Sequence, residues 1–357
     1  MSEHPYKSRP MYVVLIGPSG RTRKGVAIGI AKDMLKKVPN VTLTPESSSG
    51  RQAMILAMKR ALTHFKDSAD GKLKFHCSVT TFSEELSVFL GQGDLAYLSN
   101  LTDWYDSKDD WEYETVGRGQ DKLRGLCLNM LGGTAPDWIQ SMIPPEAVGG
   151  GFTSRIIFIV EEAKRKLVPE HTLTEGEVEM EAKLSRDLAR ISRLTGTMSF
   201  SDVAKEKYVE WYVEQDGLLG AGSPAIPGRN FAGYCERRAT HLRKLMILCS
   251  ASRGDDLLIE EVDFDKALSY LTGAEEKMHK TFGGISKERV DGKDHTDAVK
   301  NYIRQVEITT RKLVMQKFCN SVSKQSLNGI ELALMTQKLI RVQLTPDDDK
   351  TYEWIGE

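Results

Sequence analysis

The chain has 357 residues, and its 49 lysines and arginines nearly balance 50 aspartates and glutamates, for a net charge of −1. That length allows two or three domains, and the near-neutral balance excludes a protein that binds nucleic acid with its whole surface, so any such binding must come from local basic patches. Five scattered cysteines (Cys77, Cys127, Cys235, Cys249, Cys319) without CxxC spacing, and dispersed histidines, argue against disulfides and a zinc site, and the chain shows no membrane-spanning apolar run or signal peptide.

An apolar run, Tyr12 to Ile16, ends in Gly17-Pro18-Ser19-Gly20, followed by Arg21-Thr22-Arg23-Lys24-Gly25 and a helical pattern from Val26 to Leu35. Strand, glycine-bearing turn, lysine and helix is the layout of a phosphate-binding loop. A helix N-terminus offers unpaired N–H groups, glycine lets the backbone curl around a polyphosphate, and a lysine adds a full charge. The spacing from Gly17 to Lys24 is one residue longer than standard. Arg23 stands where a glycine is usual, and Gly25 where a Ser or Thr normally holds Mg²⁺, so Thr22 or Ser19 must replace that ligand. A basic first turn without an anion is electrostatically unfavourable, which favours nucleotide binding over an ordinary strand–helix turn.

A short strand is predicted over Val41–Thr44 and a helix from Ser47-Ser-Ser-Gly50 to about Phe65. A strand over Lys74–Thr81 follows, with Phe82-Ser-Glu-Glu-Leu86 opening the next helix. Trp104, Tyr105 and Trp111 lie in an irregular polar stretch, where they would either stack on bases or pack locally. Leu126–Leu131 is a buried-type strand, Asp137 caps a helix over Trp138–Met142, and Ile156–Val160 is another apolar strand. Unbroken apolar strands alternating with helices argue for an α/β fold with a mainly parallel sheet. Residues 161–290 read as helical and charge-rich, and 283–294 as a linker. In 295–357, helices over His295–Gln305, Thr309–Phe318 and Ser323–Lys338 precede a strand pair, Leu339–Leu344 and Thr351–Trp354. That is the winged-helix pattern. The expected domains are a core (1–162), a helical lid region (163–290) and a winged helix (295–357).

Nucleoside triphosphate hydrolysis needs a phosphate cradle, a metal-holding acid, a group to polarise water and a positive charge at the γ-phosphate. The backbone and side chains of Gly17, Ser19, Gly20, Arg21, Thr22, Arg23, Lys24 and Gly25 offer the cradle. Glu84 and Glu85 follow a β-type run, where one would serve Mg²⁺ and the other water, or both would simply favour a helix start. Thr22 and Glu84 are the expected metal ligands. Asn129 or Thr134 is placed to contact the γ-phosphate. Arg155, between a Gly-rich loop and a strand, would reach a neighbouring subunit's nucleotide or hold the fold. Arg237 or Arg238 would reach the nucleotide from the helical region, or form a solvated basic face. In the tail, Arg311, Lys312, Lys317 and Lys324 would touch DNA phosphates, although Asp347-Asp-Asp349 opposes this and a protein-binding module is the alternative.

The order of loop lysine, acids, polar residue and Gly149-Gly-Gly-Phe-Thr-Ser-Arg155 resembles an AAA+ ATPase. More closely, the chain is similar to phage- and plasmid-encoded P-loop ATPases of the primase-helicase or replicative-helicase type. The resemblance is carried by Gly17–Gly25, Ser83-Glu-Glu-Leu86, Leu131-Gly-Gly-Thr-Ala-Pro-Asp-Trp138 and Gly149–Arg155, and more weakly by Glu236–Leu245. It implies an ATP- and Mg²⁺-dependent DNA helicase or translocase in phage-type replication, a hexameric ring in the cytoplasm of a host, acting on single-stranded DNA beside a separate primase. It also implies roles for Lys24, Glu84 or Glu85, Thr134 and Arg155 in trans. The alternatives are an ATP-switched initiator or helicase loader without strand separation, and a DNA-binding protein with a degenerate loop.

Overall fold

The computed structural model describes residues 10–282 apart from 46–49, 67–70, 92–93, 116–118, 144–147, 149, 165, 169 and 171, and then 293–318, 324–344 and 350–356. The chain divides into two compact units, Met1–Thr281 and Phe282–Glu357. The helical region after residue 162 therefore belongs to the same unit as the sheet that precedes it.

The first unit is α/β. Its central sheet contains β1 (Tyr12–Ile16), β2 (Leu62–Lys66), β3 (Leu73–Ser83), β6 (Leu126–Thr134) and β7 (Ile156–Val160), in the order β2-β3-β6-β1-β7. β1, β3, β6 and β7 run parallel, and β2 pairs antiparallel with β3 at one edge. The apolar runs read from the sequence supply the buried centre: Tyr12, Val14 and Ile16 of β1, Leu128 and Met130 of β6, and Ile156 and Phe158 of β7. Burying each large apolar side chain contributes about 1.5–3 kcal/mol, so the covered sheet is the main source of stability. Ile28 of α1 (Lys24–Lys36) and Met54 and Met58 of α2 (Arg51–Arg60) are fully buried, α1 against β6 and β3 and α2 against β3.

Several elements differ from expectation. The helix predicted to run to Phe65 stops at Arg60, because Leu62-Thr-His-Phe-Lys66 pairs with Leu73–Cys77 as β2. Val41–Thr44 contributes only a bridge, Leu43 to Thr80. Short helix α3 (Leu86–Leu90) begins after the two acids, and α4 (Leu95–Trp104) is capped by Asp94, whose carboxylate accepts from the Ala96 and Tyr97 amides. The stretch expected to be irregular carries a hairpin, β4 (Asp110–Thr115) with β5 (Gly119–Arg124). Trp104, Tyr105 and Trp111 are buried, so they are packing residues rather than base-stacking ones. Trp104 and Trp111 meet edge to face at 5.6 Å, and the Trp111 indole donates to Asp103 at 2.8 Å. Helix α5 (Pro136–Met142) starts on Pro136, with Ala135 and not Asp137 at its cap.

Beyond β7 come α6 (Glu175–Ile191), α7 (Asp202–Gly220), α8 (Ala232–Arg253) and α9 (Glu261–Glu275), with two short parallel strands, β8 (Ser199–Phe200) and β9 (Leu258–Ile259). Helices α8 and α9 pack on each other, and α9 also meets β7. Thr174 and Glu177 form a reciprocal capping box that starts α6. Among the described residues no helix is long and apolar enough to cross a membrane.

The second unit holds α10 (Lys293–Val306), β10 (Ile308–Thr310), α11 (Arg311–Lys317), α12 (Lys324–Thr336), β11 (Ile340–Leu344) and β12 (Lys350–Trp354). β12 lies between β10 and β11, antiparallel to both, over a core of Val299, Ile303, Val314, Leu327, Ile330, Leu334, Ile340 and Tyr352. Buried Glu331 ties the unit together, accepting from Tyr352 Oη at 3.0 Å and Lys350 Nζ at 2.5 Å, with Arg311 at 3.4 Å. The linker over 283–292, the turn over 345–349 and the Lys324 side chain lie outside the described residues.

Candidate functional site

β1, β3 and β6 are parallel, so their C-terminal ends share one edge of the sheet. Chain continuity from β1 passes one way, to β3, while β6 leads across β1 to β7. A crevice at such a reversal is where open α/β sheets bind ligands. The loop Gly17–Arg23 leaves β1 at this edge. Gly17 leaves no space for a side chain: an added Cβ would lie 2.5 Å from the Glu161 carbonyl oxygen and 2.7 Å from Thr22 Oγ1. Its N–H donates to the Thr134 carbonyl at 3.2 Å, which ties the loop to the end of β6. Arg23 takes a left-handed conformation (φ 54°), the one a glycine would adopt without strain. The backbone thus keeps the glycine geometry although the sequence does not keep the glycine.

Helix α1 has no side-chain cap and no acidic residue in its first turn, so no group of the helix itself offsets the positive end of its dipole. Lys24 folds back, and its ammonium donates to the Gly17 carbonyl at 2.5 Å. Burial lowers the Lys24 pKa, while Glu85 raises it, so Glu85 is within electrostatic reach of the lysine. Glu84 lies against the helix start: a Cβ on Gly25 would meet its Oε2 at 3.1 Å. A larger residue at Gly25 would crowd that carboxylate. Thr134 is buried, with its hydroxyl on the Ala135 carbonyl at 3.3 Å, and Thr22 donates its hydroxyl to the Pro18 carbonyl at 3.3 Å. The fold therefore gathers Gly17, Thr22, Lys24, Gly25, Glu84, Glu85 and Thr134 at one edge. Ser19, Gly20, Arg21 and Arg23 are exposed on the loop, and Arg23 also donates to the Val168 carbonyl at 3.1 Å. Among the described residues no group of three or more His, Cys, Asp or Glu side chains is arranged to hold a metal. The donor set at this edge suits Mg²⁺ held by one or two protein oxygens together with phosphate.

No protein-family model and no curated protein matches this chain.

Other expected site residues lie elsewhere. Arg155 sits in the turn Thr153–Arg155 that enters β7, at the opposite, N-terminal edge of the sheet. A five-residue strand spans about 16 Å, so Arg155 cannot reach the C-terminal edge of the sheet in its own chain. Its side chain is 6% exposed, donates to Asp106 at 2.8 Å and to the Gly151 carbonyl at 2.6 Å, and lies over the Tyr105 ring. To reach a neighbouring subunit it must first release Asp106. Arg238 is buried between α8 and α9, paired with Glu275 and donating to Gln215, so it is not part of a solvated basic face. Asn129 accepts from the Met11 amide at 3.0 Å, which fastens the chain just before β1. In the second unit Arg311 donates to Asn328 at 2.6 Å and pairs with Glu331; Lys312 and Lys317 are both exposed, with the Lys317 ammonium 4.2 Å from the Tyr302 ring centre. Asp106 and Glu275 are far in sequence from the arginines they hold, and only the fold reveals them.

The N-terminal edge also holds a buried polar network. His241 of α8 donates from Nε2 to the Ser154 carbonyl at 3.0 Å, which leaves Nδ1 to accept from Tyr105 Oη at 3.3 Å. Lys244 lies over the Tyr105 ring and donates to the Pro10 carbonyl. Burial first, and then Lys244 and Arg237, hold the His241 pKa down to about 3. The sign follows: the unfolded chain binds a proton near pH 6.5 and the folded chain does not, so stability is lost as pH falls below 6.5. Roughly 2 kcal/mol is expected to disappear by pH 5 from this residue alone. Urea denaturation at pH 7.5 and 5 should show the loss in wild type and a markedly smaller one in His241→Gln.

Proposed function

We propose that residues 1–281 form an AAA+-like P-loop ATPase core with a helical lid and that residues 282–357 form a winged-helix module. In this reading the chain is an ATP-dependent DNA helicase or translocase of phage-type replication, working as an oligomeric ring on single-stranded DNA. One observation carries it: Lys24, Glu84, Glu85 and Thr134 converge at the C-terminal edge of β1, β3 and β6 around an uncapped helix N-terminus. Lys24 and the loop amides would hold the β- and γ-phosphates, and Thr22 and Glu84 would hold Mg²⁺, which supplies neutralising charge. Glu85, coupled to Lys24, is the candidate to orient and deprotonate water, and Thr134 the candidate to sense the γ-phosphate. In the second unit, three helices followed by β11 and β12 support the winged-helix reading, with Lys312 as a phosphate contact.

Steady-state ATP hydrolysis with and without single-stranded DNA tests the proposal. DNA-stimulated turnover supports a motor, and absence of any nucleotide affinity rejects the P-loop assignment. The ion pair between Arg155 and Asp106 favours a second reading, an ATP-switched initiator or loader, because it withholds the positive charge a fast hydrolase takes from its neighbour. ATP binding with slow turnover and no strand separation would select that reading.

A further inference from the structure

The antiparallel hairpin β2–β3 overhangs the sheet. β3 pairs with β6 only from Cys77 onward, so Leu73–His76 pair with β2 alone. The overhang is at the N-terminal edge, away from the nucleotide site. Its register sorts the side chains by face. Leu62, His64 and Lys66 share one face with Leu73 and Phe75, and Thr63 and Phe65 share the other with Lys74 and His76. On the first face Leu62, Leu73 and Phe75 are exposed (49%, 55% and 41%), an unusual arrangement on an edge hairpin, where apolar side chains invite aggregation. The rings of His64 and Phe75 lie 6.0 Å apart, and the Arg124 guanidinium is 5.8 Å from the Phe75 centroid. The second face repeats the theme, with Phe65 and His76 edge to face at 5.6 Å beside Lys74.

Charge says what covers this surface. Residues 59–76 hold five lysines and arginines (Lys59, Arg60, Lys66, Lys72, Lys74) against two aspartates (Asp67, Asp70), within a chain whose net charge is −1; Lys59 is taken up by Asp121 of β5 at 2.6 Å. Exposed aromatic rings interleaved with cations are what successive unpaired bases and their phosphates require, since every base offers a π-face. A protein strand added to the β2 edge would use backbone pairing and would need neither the rings nor the excess positive charge.

We propose that the β2–β3 hairpin is a single-stranded nucleic-acid platform, with Phe75 and His64 stacking on bases and Lys66 contacting the adjacent phosphates. This surface belongs to the first unit, lies at the opposite sheet edge from the nucleotide loop, and does not depend on ATP hydrolysis. The test is anisotropy of a labelled oligo-dT, and in parallel oligo-U, with the full chain and no ATP. Phe75→Ala is expected to weaken binding about tenfold, as loss of one stacked base does. Lys66→Ala should lower the salt slope by about 0.7. Phe75→Trp should bind like wild type, and its added indole fluorescence should be quenched by oligonucleotide, a local signal that binding by the second unit would not produce. Equal loss on both oligomers supports a platform indifferent to the sugar, and loss on one alone supports the platform and names its ligand. The proposal is overturned if folded Phe75→Ala and Lys66→Ala bind as wild type does, if the added fluorescence of Phe75→Trp does not respond, or if wild type binds neither oligomer.

Discussion

Lys24→Ala is expected to weaken ATP binding roughly ten- to a hundredfold and to reduce turnover by more than that. The lysine is the cation at the first turn of α1, folded back on the loop at the Gly17 carbonyl, and a charge-assisted contact is worth about 1.5–3 kcal/mol. Charge on the transferred phosphoryl group and the leaving oxygen is stabilised most at the transition state, so hydrolysis should fall by about a further order of magnitude or more. The fold should survive, because the side chain is partly exposed and its described hydrogen bond is to the Gly17 carbonyl. Glu85→Gln is the complementary variant. It keeps the cradle and removes the base, so binding should persist while turnover drops about a hundredfold or more. Calorimetry for affinity and a coupled assay for hydrolysis separate the two. If Lys24→Ala binds ATP as tightly as wild type, the loop is not a phosphate cradle.

Much of the fold was legible because apolar runs have one physical solution. Tyr12–Ile16, Leu126–Leu131 and Ile156–Val160 lack polar faces, so they must lie inside a covered, largely parallel sheet, and they do. The three helices and strand pair of the tail were legible from periodicity alone. Strand β2 was hidden because Leu62-Thr-His-Phe-Lys66 continues the apolar spacing of α2 and declares itself only on pairing with β3. At the candidate site, the loop, the two acids and Thr134 were legible because their chemistry sits at strand ends. The arginines were not: the type of residue shows a charge, but not which carboxylate takes it. Arg155, Arg238 and Arg311 each found a partner at least 17 positions away, Asp106, Glu275 and Asn328, and a paired guanidinium cannot also serve a ligand without releasing it.

For Arg238 that pairing should dominate stability. Its Nε and Nη2 donate to the two carboxylate oxygens of Glu275 at 2.8 and 2.7 Å, with side-chain exposures of 9% and 7%. Tyr234 Oη donates to the same carboxylate at 3.2 Å, Gln215 accepts from Nη1, and the guanidinium lies 5.4 Å from the Trp211 ring centre. Burial, reinforced by Glu275, raises the Tyr234 pKa well above its ordinary value, so the phenol stays protonated and able to donate. Glu275→Ala leaves a guanidinium in this setting without its counter-charge, which should cost about 3–5 kcal/mol and lower the melting temperature by roughly 10 °C. The double variant Arg238→Met with Glu275→Leu removes both charges and fills similar volume, so it should recover most of the loss. The same double variant decides what Arg238 is for. An arginine that only joins α8 to α9 leaves ATP affinity unchanged in the refolded double variant. One that leaves Glu275 to grip the nucleotide would show a tenfold or greater loss of affinity in a protein of restored stability.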